Sequence, residues 1–198
     1  GKTYRVEACT PQSFDGIDIA LFAGTEGKKG AAVTFATDAM KRGATVIDNG
    51  ADFRMTKGVP LVVPEVNPEA LDAIRNAPKL IASPNCSTIQ MVVALNPLHK
   101  VNPIQRIIVS TYQAVSGTGA AAVEELRGQI AQIVEGKGIG ITPQAYPHQI
   151  AFNALPFVDS FLDNAYTTEE WKMVQETRKI LHEPDLPVCV TCVRVPVY

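Results

Sequence analysis

The chain lacks long apolar runs and an excess of charge of either sign. No apolar stretch approaches the roughly 20 residues that a membrane-spanning helix needs, so we expect no membrane span. The 198 residues carry a net charge of −2, with acidic and basic side chains interspersed, and this disfavours nucleic acid as a partner. Small molecules are therefore the expected ligands.

Signals for export and for a disulfide framework are also missing. Residues 1–6 show no basic segment followed by an apolar one, so no export signal is visible and we expect a cytoplasmic protein. In that compartment the four cysteines are expected to be free thiols. Cys189 and Cys192 form a C-x-x-C pattern, but on a β-strand their side chains point to opposite faces. This argues against a metal site or a redox pair.

The sequence is 46% hydrophobic, which is ample for a buried core. Strands and helices alternate through its first part. The predicted elements are a buried strand at 17–22, a helix at 31–42, a strand at 45–47, a helix near 68–76 and a strand at 79–82. Such alternation predicts an α/β fold with a parallel sheet covered by helices.

The pattern changes from residue 106 onward. A longer, β-branched strand is predicted at 106–113, followed by a helix at 120–135 with one apolar face. A further helix at 168–181 begins with Thr167 and Glu170 at the spacing of a capping box. These elements predict a second, α+β unit.

Cys86 is the most informative candidate for chemistry. It follows a predicted strand directly and lies in the first turn of a helix predicted at 87–95. Free N–H groups and the positive end of the helix dipole favour a thiolate there, and they can also bind an oxyanion. Asn85 could donate its amide to the same oxyanion. From this segment alone, a buried structural cysteine at a strand–helix junction is the alternative.

A second candidate region lies where the strand 106–113 ends. Gln113 is followed by a loop that contains Ser116 and Gly117, and loops at such sheet edges often bind ligands. The amide of Gln113 could orient a substrate group, and the small residues could admit a nucleotide ring. An ordinary turn explains the glycines equally well.

Four charged residues have both a functional and an ordinary interpretation. Arg194 lies among valines in the last predicted strand, so its guanidinium needs an anionic partner, for which a structural salt bridge is the alternative. Glu176 and Lys179 lie three apart on one helix face, a spacing typical of a solvated ion pair. Arg54, in a polar loop, could equally be a surface charge.

Five segments together closely resemble the aspartate-β-semialdehyde dehydrogenase family, in order and over nearly the whole chain. They are residues 83–90, 110–117, 147–153, 176–179 and 192–196. The resemblance implies a Rossmann-type NADP domain, expected at 1–85, joined to an α+β catalytic and dimerisation domain at 86–198. It also implies a homodimer.

The resemblance implies NADP-dependent conversion of L-aspartyl 4-phosphate into L-aspartate 4-semialdehyde, in the synthesis of lysine, threonine and methionine. Cys86 would form a thioacyl intermediate, Gln113 would position the substrate and Arg194 would pair with its α-carboxylate. Glu176 would contact the substrate's amino group.

The resemblance also implies the remaining contacts. Arg54 and Lys179 would form the phosphate site, and Ser116 and Gly117 would lie against the nicotinamide. Two alternatives stay open. One is a reductase of another acyl phosphate, such as N-acetylglutamyl phosphate, or of a CoA thioester, which Arg194 and Glu176 disfavour. The other is a non-catalytic paralogue or fragment that binds a partner through the dimer surface.

Two features of the family have no counterpart in the sequence. One is the opening strand with its G-x-x-G-x-x-G pyrophosphate loop, and the other is the catalytic histidine that follows the substrate arginine. Gly24, Gly27 and Gly30 have the same spacing, but a lone glycine string does not locate a pyrophosphate site. We therefore expect a chain truncated at both ends, with little or no turnover by itself.

Overall fold

A computed structural model describes residues 2–23, 27–28, 30–76, 79–137 and 142–198. The chain forms two compact units. The first comprises Gly1–Ile104 and Gln175–Asp185, and the second comprises Gln105–Val174 and Leu186–Tyr198. These bounds differ from 1–85 and 86–198, and the assignment of those two ranges to dinucleotide binding and catalysis stays a prediction.

The first unit contains a parallel three-stranded sheet, as the alternation of elements predicted. Its strands β1 (Ile19–Phe22), β2 (Thr45–Asp48) and β3 (Leu80–Ala82) are adjacent in that order. Helix α1 (Ala31–Lys41) connects β1 to β2, and its buried alanines belong to the same hydrophobic core cluster as Phe22 of β1. The prediction of a fully buried β1 is wrong, because alternate residues of this strand are exposed.

Two helix predictions in the first unit need correction. The segment near 68–76 is a 3₁₀-helix, Pro68–Ile74, rather than an α-helix. The helix predicted at 87–95 is longer and spans Cys86–Val101 as α2. It continues through Pro97, which removes one backbone donor, and it ends where the N–H of Asn102 donates to the carbonyl of Leu98.

The second unit contains the parallel strands β4 (Ile107–Gln113) and β5 (Val188–Arg194) and the helix α3 (Ala120–Val134). Burial alternates along β5, so that Cys189 is exposed and Cys192 is buried. The two thiols therefore lie on opposite faces, as predicted.

Helix α4 (Thr168–Ile180) crosses the boundary between the units after Val174. Its predicted capping box is confirmed, because the N–H of Thr167 donates to Glu170 and the N–H of Glu170 donates to the Thr167 hydroxyl. In the described ranges, no helix combines the length and the apolar character needed to cross a bilayer.

Candidate functional site

Cys86 is the first residue of α2 and its side chain is exposed. The alternative of a buried structural cysteine is therefore wrong. Asn85 caps the helix, since its Oδ1 accepts the N–H groups of Ser87 at 2.9 Å and Thr88 at 3.3 Å. The N–H of Cys86 itself has no acceptor among the described residues. An unused donor thus lies on the same residue as the thiol, where it could bind the oxygen of an attacked carbonyl.

Glu176 lies directly behind this helix start. Its carboxylate is 1% exposed, so it does not belong to a solvated ion pair. Oε2 accepts the N–H of Asn85 at 2.7 Å, and Oε1 lies 3.1 Å from Nη1 of Arg54. Burial raises the pKa of the Glu176 carboxyl, against the lowering effects of Arg54 and the Asn85 N–H. Both carboxylate oxygens are therefore used within the first unit.

Arg54 is also buried, at 7% exposure, and is not a surface charge. Besides its bond to Glu176, its Nε donates to the carbonyl of Ser83 and its Nη2 to that of Asn49, both at 2.9 Å. A guanidinium has five N–H groups, so these three bonds leave some of them without an acceptor in the described part of the chain.

Lys179 follows Glu176 by about one helical turn. Its Nζ donates to the carbonyl oxygens of Arg54, Thr56 and Val59, which engages every N–H of an ammonium group. Burial lowers the pKa of Lys179, and the Glu176 charge acts in the opposite direction. A phosphate bound here would have to replace one of these carbonyls as the acceptor of a hydrogen bond from Lys179.

The second unit holds the other predicted site residues at the carboxyl ends of its two strands. Gln113 lies opposite Arg194 in the strand register. The Gln113 amide is oriented at both ends, because its Nε2 donates to Glu169 and its Oε1 accepts from the Thr111 hydroxyl, each at 3.1 Å. Ser116 and Gly117 lie in the exposed 3₁₀-turn that follows β4.

Arg194 differs from Arg54 in what surrounds its charge. It is 6% exposed, yet its Nε has no hydrogen-bond partner among the described residues. Among the residues that the structure describes, no carboxylate lies within 4.0 Å of its guanidinium. The structural salt bridge that is the alternative for Arg194 is therefore not formed within the described residues. Its only hydrogen bond in that part of the chain runs from Nη1 to the carbonyl of Ala114, at 2.7 Å.

The Arg194 side chain borders a cavity of about 120 Å³. Thr118, Tyr146, Phe157 and Asp159 contribute to its walls, and the Asp159 carboxylate is paired with Lys172 at 3.2 Å. A Cβ at position 117 would come within 3.1 Å of Nη1 of Arg194, so the glycine leaves room for the guanidinium. A buried cation beside a small cavity is suited to a small anion.

Sequence reasoning missed three contacts of these sites: the capping role of the Asn85 side chain, the pairing of Arg54 with Glu176, and the bond between Gln113 and Glu169. Only the first had a local signal, since asparagine is a preferred N-cap residue. Of the glycine string, Gly24 lies outside the described residues, while the N–H of Gly27 donates to the carboxylate of Asp52.

Comparisons with known proteins agree across both units. Residues 95–198 match a family model described as "Semialdehyde dehydrogenase, dimerisation domain", and residues 1–74 match "Semialdehyde dehydrogenase, NAD binding domain". The aspartate-semialdehyde dehydrogenase of Aquifex aeolicus is 53% identical over 200 residues, which cover 100% of this chain. The chain spans only 57% of the length of that relative.

Two solved structures are similar as well. Aspartate semialdehyde dehydrogenase II from Vibrio cholerae, complexed with ASA, superposes with a TM-score of 0.86 at 48% identity, covering 93% of this chain and 53% of that one. Aspartate semialdehyde dehydrogenase with NADP from Candida albicans superposes with a TM-score of 0.63 at 26% identity, covering 91% of this chain and 47% of that one.

Proposed function

The chain belongs to the semialdehyde dehydrogenase family, and on that premise we propose that it reduces L-aspartyl 4-phosphate to L-aspartate 4-semialdehyde, a step in the synthesis of lysine, threonine and methionine. The observation that carries the proposal is the exposed Cys86 thiol at the start of α2, next to an N–H without an acceptor among the described residues. The ASA complex of the Vibrio cholerae relative supports the same substrate class.

The reaction begins with the Cys86 thiolate. Its sulfur attacks the carbonyl carbon of the acyl phosphate, and phosphate leaves with the electron pair of the broken C–O bond. The N–H of Cys86 stabilises the oxyanion, while Asn85 holds the helix start in place and contributes its amide to the same region. A thioester on Cys86 remains.

The second half of the reaction reduces this thioester. A nicotinamide dinucleotide supplies the hydride when it is bound. The resulting tetrahedral adduct on Cys86 then collapses, so that the aldehyde is released and the thiolate is regenerated. The Cys86 N–H serves both half-reactions, because each one places negative charge on the same oxygen.

Two residues of the second unit are assigned to substrate recognition. Arg194 pairs with the α-carboxylate, because its buried guanidinium lacks a carboxylate partner in the described part of the chain. Gln113 positions the substrate through an amide that Thr111 and Glu169 hold in one orientation.

The amino group and the phosphate are assigned to residues of the first unit. Glu176 receives the amino group, which would share its oxygens with the existing bonds to Arg54 and Asn85. Arg54 and Lys179 receive the phosphate, and Arg54 has N–H groups left for it.

The cofactor site includes the turn at Ser116 and Gly117. Both residues are exposed and Gly117 has no side chain, which fits the close approach of a flat ring. The NADP complex of the Candida albicans relative favours NADP. The family model for residues 95–198 supports assembly as a homodimer.

A chimera tests the proposal directly. Residues 1–198 would replace the aligned segment of the Aquifex aeolicus relative, and oxidation of aspartate semialdehyde would be followed with phosphate and NADP. We expect turnover comparable with the parent enzyme. Cys86→Ser should lower kcat by roughly 10⁴-fold or more, whereas Cys189→Ser, at an exposed position of β5, should leave it unchanged.

The alternatives predict different results. Turnover of N-acetylglutamyl semialdehyde instead of aspartate semialdehyde would identify a reductase of a different acyl phosphate. A folded chimera without activity would favour a non-catalytic protein. Full activity of the Cys86→Ser chimera would rule out this thiol as the nucleophile.

A further inference from the structure

We infer that Glu176 is a positioning residue for Cys86, because its carboxylate completes the N-terminal cap of α2 from a distant part of the chain. This inference rests on the proposed role of Cys86 as the nucleophile, but not on the identity of the substrate.

The cap of α2 is incomplete within its own segment. In a capping box, the N-cap side chain accepts an N–H of the first turn, and a Glu or Gln at the third helical position accepts the N–H of the N-cap residue. Asn85 fulfils the first part. The third helical position is Thr88, whose shorter side chain is not the Glu or Gln that the motif uses.

Glu176 supplies the missing acceptor for the N–H of the N-cap residue. Its Oε2 accepts the N–H of Asn85 at 2.7 Å, across 91 positions of sequence. The residue that immediately precedes Cys86 is therefore held through both its side chain and its backbone. Since a helix start leaves its first N–H groups without partners inside the helix, this external acceptor fixes the turn on which the thiol lies.

Arg54 holds the other side of the same turn. Its Nε donates to the carbonyl of Ser83 and its Nη1 to Glu176, so that Ser83 and Asn85 are both tied to one buried ion pair. Lys179 in turn binds three carbonyls of the loop 54–59 that carries Arg54. The backbone that leads into Cys86 is thus held at the carbonyl of Ser83 and at the N–H of Asn85, by the buried side chains of Arg54 and Glu176.

A simple electrostatic role would have the opposite effect on the thiol. A carboxylate near Cys86 disfavours the thiolate, so its removal would speed alkylation. If Glu176 instead positions the turn, its removal should slow alkylation of Cys86, because the loosened turn no longer keeps the helix N-terminus next to the sulfur. The two roles therefore differ in the sign of the change.

The test measures iodoacetamide labelling of Cys86 by peptide mass spectrometry across a pH series, with the exposed Cys189 as the reference thiol in the same chain. Glu176→Leu removes the acceptor and the charge, and we expect labelling at neutral pH to slow by roughly tenfold. Glu176→Gln keeps an oxygen for the Asn85 N–H, and it should retain most of the rate and a pH profile close to that of the parent. The matched control is Glu183→Leu, at a carboxylate of the same unit that lies 3.6 Å from His99.

Equal rates for Glu176→Gln and Glu176→Leu, or faster labelling in both, would overturn the inference. If Glu176→Leu does not fold, amide hydrogen exchange of the parent chain decides. Protection of the Asn85 N–H supports the cap, and exchange at the rate of an unprotected amide contradicts it. None of these measurements uses a substrate, so the inference can be tested separately from the proposed function. If the chimera is inactive but Cys86 labelling follows the expected pattern, only the proposed function is contradicted.

Discussion

Two buried arginines, one in each unit, are stabilised in different ways. Arg54 is bonded to a carboxylate and to two backbone carbonyls. Arg194 is equally buried, but within the described ranges its guanidinium has one carbonyl partner and its Nε has none. A buried charge is costly unless it is compensated. Because the Arg54 charge is compensated by Glu176, it can be kept inside the first unit as part of its structure. The burial of the Arg194 charge is destabilising, and a bound anionic ligand would compensate it.

The largest expected effect comes from breaking the compensated pair. Glu176→Leu leaves Arg54 buried without a counter-charge and leaves the Asn85 N–H without its acceptor. We expect the free energy of unfolding to fall by about 3–5 kcal/mol, measured by urea unfolding with circular dichroism. The double variant Arg54→Met/Glu176→Leu removes both charges and should lose less than the single variant. A loss below about 1 kcal/mol in Glu176→Leu would show that the pair does not stabilise the unit.

A smaller effect concerns the pH dependence of the same pair. Burial raises the pKa of Glu176 above its ordinary value of 4.5, so in this pH region the folded state holds the proton more tightly than the unfolded state. The contribution of this carboxyl is therefore fully present below 4.5 and is lost as pH rises through the raised pKa. Relative to Glu176→Gln, the parent chain should lose up to about 1.4 kcal/mol per pH unit within that window. A difference that grows with pH would mean that Arg54 and the Asn85 N–H outweigh burial.

The parts of the fold that were predicted correctly have strong local signals. Helices α1 and α4 agree with prediction to within about one residue. The Thr167–Glu170 capping box marks the start of α4, and Gly43, with a φ of 97°, marks the end of α1. Helix α2 was predicted too short, and the structure shows that it continues through Pro97, a residue that normally ends or kinks a helix. Whether it does so depends on packing that a local pattern does not contain.

The same limit applies to the candidate site. The position of Cys86 at a helix start followed from neighbouring residues, whereas the pairing of Arg54 with Glu176 joins positions 122 apart. A contact of that kind depends on the complete fold of the first unit. The alternative interpretations of Glu176 and Arg54 as solvent-exposed charges are therefore wrong for a physical reason, because burial is a property of the fold rather than of residue type.

The smallest effect on stability is expected at the uncompensated arginine. Arg194→Met removes a buried charge that lacks a carboxylate partner in the described part of the chain, together with its bond to the Ala114 carbonyl. The lost bond to a charged donor, about 1.5–3 kcal/mol, opposes a desolvation cost of several kcal/mol, and the flexible methionine can fill the space. We expect the free energy of unfolding to change by less than about 1 kcal/mol in the same urea titration.

Arg54→Met is the matched control for this variant, because it removes a guanidinium of similar burial that has a carboxylate partner. It should cost about 3–5 kcal/mol, since Glu176 is then left buried and unpaired. Equal losses in the two variants would mean that Arg194 is compensated as fully as Arg54, and the distinction between the two arginines would not hold. L-aspartate that binds the folded parent protein should raise its temperature of thermal unfolding. If Arg194→Met is stable but L-aspartate no longer raises that temperature, the guanidinium stabilises a bound carboxylate rather than the fold.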